Sequence, residues 1–133
     1  MAFSGPVDDK QLIRERFDSY SDAVIRQDLD AYLRCWTEDG RRSGSGGECA
    51  GKEELRTHWH GVFAAIEQMA FFTQFASLTV DGDHATARSY CLETMKLQDG
   101  TTRQLVGEYD DELVRVAGDW LFSHRHYRVA MTF

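Results

Sequence analysis

His124 and His126 alternate along a stretch that reads as a β-strand, so both imidazoles share one face. Glu93 and Asp111 lie on two earlier stretches of the same character. A carboxylate beside an imidazole orients its tautomer and raises its pKa, which makes a general base near neutral pH. If these four groups meet on the concave face of a sheet, they are the least apparatus an isomerase or dehydratase needs. On the convex face, or at a seam between subunits, the histidines would do no such chemistry.

A second set supplies surface rather than protons. Trp36, Trp59, Phe63, Phe72, Tyr90 and Tyr109 can form an apolar box with two phenolic handles, suited to a flat aromatic or polycyclic ligand. Tyr20 or Tyr109 would donate a hydrogen bond to a substrate oxygen. The same rings serve equally as plain core filling, and the sequence leaves both readings open.

Other motifs carry less. His58 and His60 flank Trp59 on a helical stretch, about 200° apart, and cannot hold one metal between them. No histidines and carboxylates stand at ligand spacing, so no metal is expected. Gly46-Gly47-Glu48-Cys49-Ala50-Gly51-Lys52 has the glycine and lysine spacing of a phosphate loop. Glu53 stands where a serine or threonine would reach magnesium, and it would repel phosphate. That segment reads as a surface loop entering a helix. Cys91 shares a face with Ser89 and Glu93 and reads as a buried structural thiol. Arg88, Arg115, Arg125 and Arg128 answer the many acids of the strands; one of them could hold a ligand carboxylate, although solvated ion pairs are the ordinary case.

The chain has 133 residues and a formal net charge of -7, from 22 acids against 15 bases. That balance argues against a nucleic-acid partner, and Arg41-Arg42 is the single adjacent basic pair. Cys35, Cys49 and Cys91 are odd in number with no close pair, which suggests free thiols in a reducing cytoplasm. The polar start, Met1 to Asp9, is unlike a signal peptide, and no apolar run approaches a membrane span.

The elements that must position these groups follow from periodicity. Leu12, Ile13, Phe17, Tyr20, Val24 and Ile25 recur at helical steps after Asp8 or Asp9, either of which can cap. Asp28 looks like a second cap, and Leu29, Tyr32, Leu33 and Trp36 form the stripe of a short helix ended by Asp39-Gly40. Residues 41–50 read as one weak strand plus a loop. Gly51 to Glu54 opens a third helix, with Leu55, Trp59, Val62, Phe63 and Ile66 on its buried face. Strands are expected over 69–80, 84–97, 102–116 and 120–131, with turns at Asp81-Gly82-Asp83, Asp99-Gly100 and Ala117-Gly118-Asp119. The pattern predicts one α+β domain over 1–133: about three N-terminal helices on an antiparallel meander.

The order and spacing of several motifs carry a resemblance across nearly the whole chain. They are Tyr20, Asp28-Leu29-Asp30-Ala31-Tyr32, Trp36 followed by Asp39, Gly51 to Leu55, Val80 to Tyr90, and Gly107 to Phe122. Together the chain resembles the SnoaL-like, polyketide-cyclase-like branch of the nuclear transport factor 2 superfamily. The resemblance implies a cone: a strongly bent antiparallel sheet wrapped around helices, with a pocket at one end, often in a homodimer. Such proteins include cyclases, isomerases, dehydratases, dehydrochlorinases and dioxygenase small subunits. Members that abstract a proton often pair an aspartate late in the first helix with a histidine early in the first long strand. By the match, those positions fall on Ile25 and near Phe71 or Phe72. The expectation is therefore a small-molecule protein without a cofactor, an isomerase, cyclase or dehydratase working by acid–base chemistry on an apolar aromatic or polycyclic substrate. The alternative is a noncatalytic binder of a hydrophobic ligand or a homodimeric interaction module.

Overall fold

A computed structural model describes residues 2–133. Three helices and seven strands follow in the order β1 (Phe3–Ser4), α1 (Val7–Arg26), α2 (Leu29–Leu33), β2 (Trp36–Gly44), β3 (Cys49–Ala50), α3 (Lys52–Ala65), β4 (Ile66–Asp81), β5 (His84–Leu97), β6 (Thr102–Val116) and β7 (Asp119–Thr132). The α+β class read from the sequence holds, with the helices packed against one seven-stranded sheet of order β1-β4-β5-β6-β7-β2-β3. The four long strands form the antiparallel meander. No helix among the described residues is long and apolar enough to cross a membrane.

Local differences from the expected elements have local causes. Pro6 stands at the N-cap of α1, so Asp8 and Asp9 occupy its first turn, where the helix dipole favours acids. Asp28 does cap α2, accepting from the Ala31 backbone N–H at 3.0 Å. That helix stops at Leu33, and Trp36 begins a strand instead of closing the helical stripe. The weak strand expected within residues 41–50 is the end of β2: Arg41 to Gly44 runs parallel to β7, because strand pairing satisfies its backbone regardless of side-chain polarity. Likewise α3 passes directly into β4 at Ile66.

The apolar stripe of α1 lies against the inner face of the sheet. Phe17 meets Phe75 and Phe122 at ring-centroid separations of 4.4 and 4.9 Å. Tyr20 packs on Tyr32, Phe122 and Phe71 at 5.1, 5.4 and 5.9 Å. Much of the hollow between helices and sheet is thus filled by rings. Two irregularities set which side chains reach that interior. The β4–β5 pairing shifts between Phe75 and Ser77, and the β6–β7 pairing shifts between Glu112 and Leu113, where Ser123 is the extra residue of β7. A bulge of one residue reverses the alternation beyond it. Hence Trp120 and Phe122 face inward before the bulge, and Arg125 and Tyr127 face inward after it.

Candidate functional site

The inner face carries a polar line through the aromatic core. Ser89, Cys91 and Glu93 alternate inward on β5, with Gly107, Tyr109 and Asp111 on β6 and Arg125 and Tyr127 on β7. Tyr127 Oη donates a short hydrogen bond to Glu93 Oε2, and Cys91 Sγ lies 3.7 Å from the same oxygen. Burial pushes the Glu93 carboxyl above its usual range, while the bonds from Tyr127 and Cys91 and the charges of Arg42 and Arg125 pull it back. Burial, then the neighbouring Glu93, pushes the Cys91 thiol up to about 12, so it stays protonated and is no nucleophile. The same two causes raise Tyr127. Gly107 lets these groups meet: a Cβ there would stand 2.8 Å from both Cys91 Sγ and Tyr127 Oη.

Deeper in the cone, Arg125 donates from Nε and Nη2 to the two Asp111 oxygens at 2.6 and 3.0 Å. Its guanidinium lies 3.7 Å from the centroid of the Tyr109 ring and 4.5 Å from that of Tyr20. Burial raises Asp111 against the pull of Arg125. The guanidinium keeps its charge throughout the physiological range. The pair is an internal strut that orients Tyr109.

Arg42 enters the interior from β2. Its Nη1 donates to the carbonyls of Ser45 and Gly47 at 3.0 and 3.1 Å, in the glycine-rich turn before β3. Its guanidinium lies 5.1 Å from the Tyr127 ring and 5.8 Å from the Trp59 ring. Arg42 Nε, Trp59 Nε1 and Ser89 Oγ are buried without a hydrogen-bond partner. Tyr20, Tyr32, Trp36 and Phe122 are at most 1% exposed, whereas Trp59, Phe63, Glu93 and Tyr127 retain 7–8%.

A family model for the SnoaL-like domain matches residues 6–126. The chain belongs to the SnoaL-like domain family. Three solved structures place this SnoaL-like domain among cone-shaped relatives of the nuclear transport factor 2 type. A candidate aromatic ring hydroxylase from Novosphingobium aromaticivorans is 27% identical, with a TM-score of 0.90 over 96% of this chain and 93% of that one. A candidate scytalone dehydratase from the same species is 20% identical, with a TM-score of 0.88 over 96% and 87%. A hexachlorocyclohexane dehydrochlorinase is 16% identical, with a TM-score of 0.86 over 96% and 88%. The comparison with curated proteins returned no match.

The SnoaL-like domain gathers some of the sequence-derived site residues and separates others. Glu93 and Asp111 face inward, but His124 and His126 do not join them. The Ser123 bulge turns both imidazoles to the outer face, where Ser43 Oγ lies 2.9 Å from His124 Nε2 and 2.8 Å from His126 Nδ1. There His124 Nδ1 is 3.4 Å from Glu112. The pairing of histidine with Glu93 or Asp111 is therefore corrected: Tyr127 and Arg125 are the partners. Phe72 and Tyr90 leave the proposed aromatic box for the same reason of strand phase. Phe72 is 61% exposed, and Tyr90 Oη accepts from Arg88 at 2.6 Å on the outer face. With Leu92 and Val106 they line a shallow outer hollow of about 360 Å³.

Trp36, Trp59, Phe63, Tyr20 and Tyr109 all lie inside the cone of this SnoaL-like domain. Tyr20 Oη donates to Tyr32 Oη at 3.5 Å. Of the positions where the family resemblance puts a proton-transfer pair, Phe71 is buried. Ile25 sits at the edge of a hollow of about 660 Å³ beside Gln27, Met69 and Met95. Arg42 and Tyr127 were not singled out as functional by sequence reasoning. The signal for Tyr127 was its alternation with Arg125; the signal for Arg42 was its place before four closely spaced glycines. Among the described residues, no three His, Cys, Asp or Glu side chains gather as metal ligands.

Proposed function

We propose that this protein is a cofactor-independent isomerase, cyclase or dehydratase for an apolar aromatic or polycyclic molecule, with Glu93 as its proton carrier. The observation that carries this reading is the inward, buried Glu93 carboxyl, raised by burial and bonded to Tyr127 within the aromatic interior. A carboxyl shifted upward releases and regains a proton closer to neutral pH than a solvated one. Tyr127 holds it in position and stabilises its charged form. Trp59 and Phe63 supply apolar walls beside it. Two relatives that share the fold are named for dehydration, as a candidate, and for dehydrochlorination; both names denote eliminations, which supports the reaction class. Three free thiols suit a reducing compartment such as the cytoplasm. The exposed Phe72, Leu92 and Met131 of the outer sheet face suit a homodimer seam.

A second reading, a noncatalytic binder of a hydrophobic ligand, is favoured by the apolar residues at the positions of the family's proton-transfer pair, Ile25 and Phe71 or Phe72. Native mass spectrometry of the protein taken directly from cells identifies a retained ligand. Turnover of that ligand by the wild type, and its loss by at least a hundredfold in Glu93→Gln with binding retained, is the result expected of an enzyme. Equal turnover by both proteins removes Glu93 from the chemistry, and binding without turnover leaves the noncatalytic reading.

A further inference from the structure

We propose that the interior takes its ligand as an anion: an aromatic acid whose carboxylate sits against Arg42 Nε and Trp59 Nε1. The inference rests on the preceding reading that the interior is a ligand site, and it adds the ligand's charge and the residues that recognise it.

Charge balance is the first argument. Two guanidinium groups, Arg42 and Arg125, are at most 5% exposed. Asp111 neutralises Arg125 through two hydrogen bonds, and no carboxylate among the described residues forms an ion pair with Arg42. The nearby acid, Glu93, is bonded to Tyr127 and Cys91 and makes no ion pair with Arg42. Arg42 is thus a buried cation whose charge no carboxylate among the described residues meets directly, and its Nε has no partner. Buried charges are costly unless paired, so a bound anion removes a standing penalty.

The second argument is the count of unused hydrogen-bonding groups. The buried side-chain atoms without a partner are four N–H donors, on Trp36, Arg42, Trp59 and Arg125, and two hydroxyls, on Thr37 and Ser89. No carboxylate or amide oxygen is left unpaired in that set. Such an excess of donors asks for a ligand rich in acceptors. Arg42 and Trp59 concentrate it, because the guanidinium lies 5.8 Å from the indole ring and each group contributes one unpartnered N–H. The turn carbonyls of Ser45 and Gly47 engage Nη1 and leave Nε unused. A carboxylate accepts charge-assisted bonds from such donors, and its aromatic body would rest among Trp59, Phe63 and Tyr127.

The test compares 2-naphthoate with its neutral near-isostere 2-acetylnaphthalene, titrated at pH 7.5 by calorimetry and tryptophan fluorescence. The expected result is at least tenfold tighter binding of 2-naphthoate. Arg42→Met abolishes that preference while keeping affinity for the ketone, and Trp59→Phe weakens 2-naphthoate severalfold. Arg42→Lys keeps the charge without the Nε donor, and an intermediate affinity is expected if Arg42→Met does not fold. Equal affinity for the two probes, or undiminished 2-naphthoate binding by the Arg42 variants, overturns the anion preference and leaves the ligand site standing. Failure of both probes to bind overturns the ligand-site reading and the anion preference with it.

Discussion

Tyr127 reaches across Gly107 to donate its hydroxyl hydrogen to Glu93, joining β7 to β5 over the one inward position of β6 that lacks a side chain. The contact depends on that gap. Gly107→Ala brings a methyl group to 2.8 Å from Cys91 Sγ and Tyr127 Oη, closer than van der Waals contact allows. Overpacking of this kind costs roughly 1–3 kcal/mol. Chemical denaturation is expected to show that loss, and retention of wild-type stability would mean that the three strands can part without cost.

Removing the donor tests the electrostatics of the pair. Tyr127→Phe takes away a hydrogen bond that stabilises the ionised carboxylate, so Glu93 should titrate at still higher pH. The carboxyl stretching band followed by infrared spectroscopy against Glu93→Gln reports this directly. An unchanged midpoint would show that the hydroxyl bonds the neutral and charged forms equally.

Glu93 also makes stability depend on pH. Its folded pKa lies above its unfolded value, so the native state binds more protons between the two. Its contribution is therefore most favourable below the unfolded pKa and is lost as pH rises toward the folded one. The slope in that window is at most about 1.4 kcal/mol per pH unit. Glu93→Gln should flatten this part of the profile and match or exceed wild-type stability at pH 8. A steeper fall in the variant contradicts the assignment.

The strut below the pair is expected to be the most sensitive point of the interior. Asp111→Asn leaves the Arg125 guanidinium, 1% exposed, without a counter-charge. Stranding one member of a buried pair costs about 3–5 kcal/mol. A melting temperature close to that of the wild type would show that water enters to solvate Arg125.

Opposite behaviour is expected on the outer face. Alanine at both His124 and His126 removes the contacts with Ser43, a change of about 1 kcal/mol, and leaves ligand binding and turnover at wild-type levels. Loss of turnover with the fold intact would return the histidines to the chemistry.

The sequence by itself determined the α+β class, the capped short helix at Asp28, the three hairpin turns and the order of the long strands. It also marked Glu93, Asp111, Trp59 and Tyr109 as worth following. These are local properties: apolar periodicity, capping residues and turn chemistry act over a few neighbours and need no knowledge of the rest of the chain. Tertiary structure alone decided which partner each group meets. One extra residue at Ser123 sent the two histidines outward and brought Arg125 and Tyr127 in, and strand phase put Phe72 and Tyr90 outside. Parallel pairing with β7 fixed the weak strand through Arg42 and carried that side chain into the core. Alternation along a strand is a period of two, so its phase is reversed by a single bulge, and bulges are set by pairing with distant strands that no local pattern records.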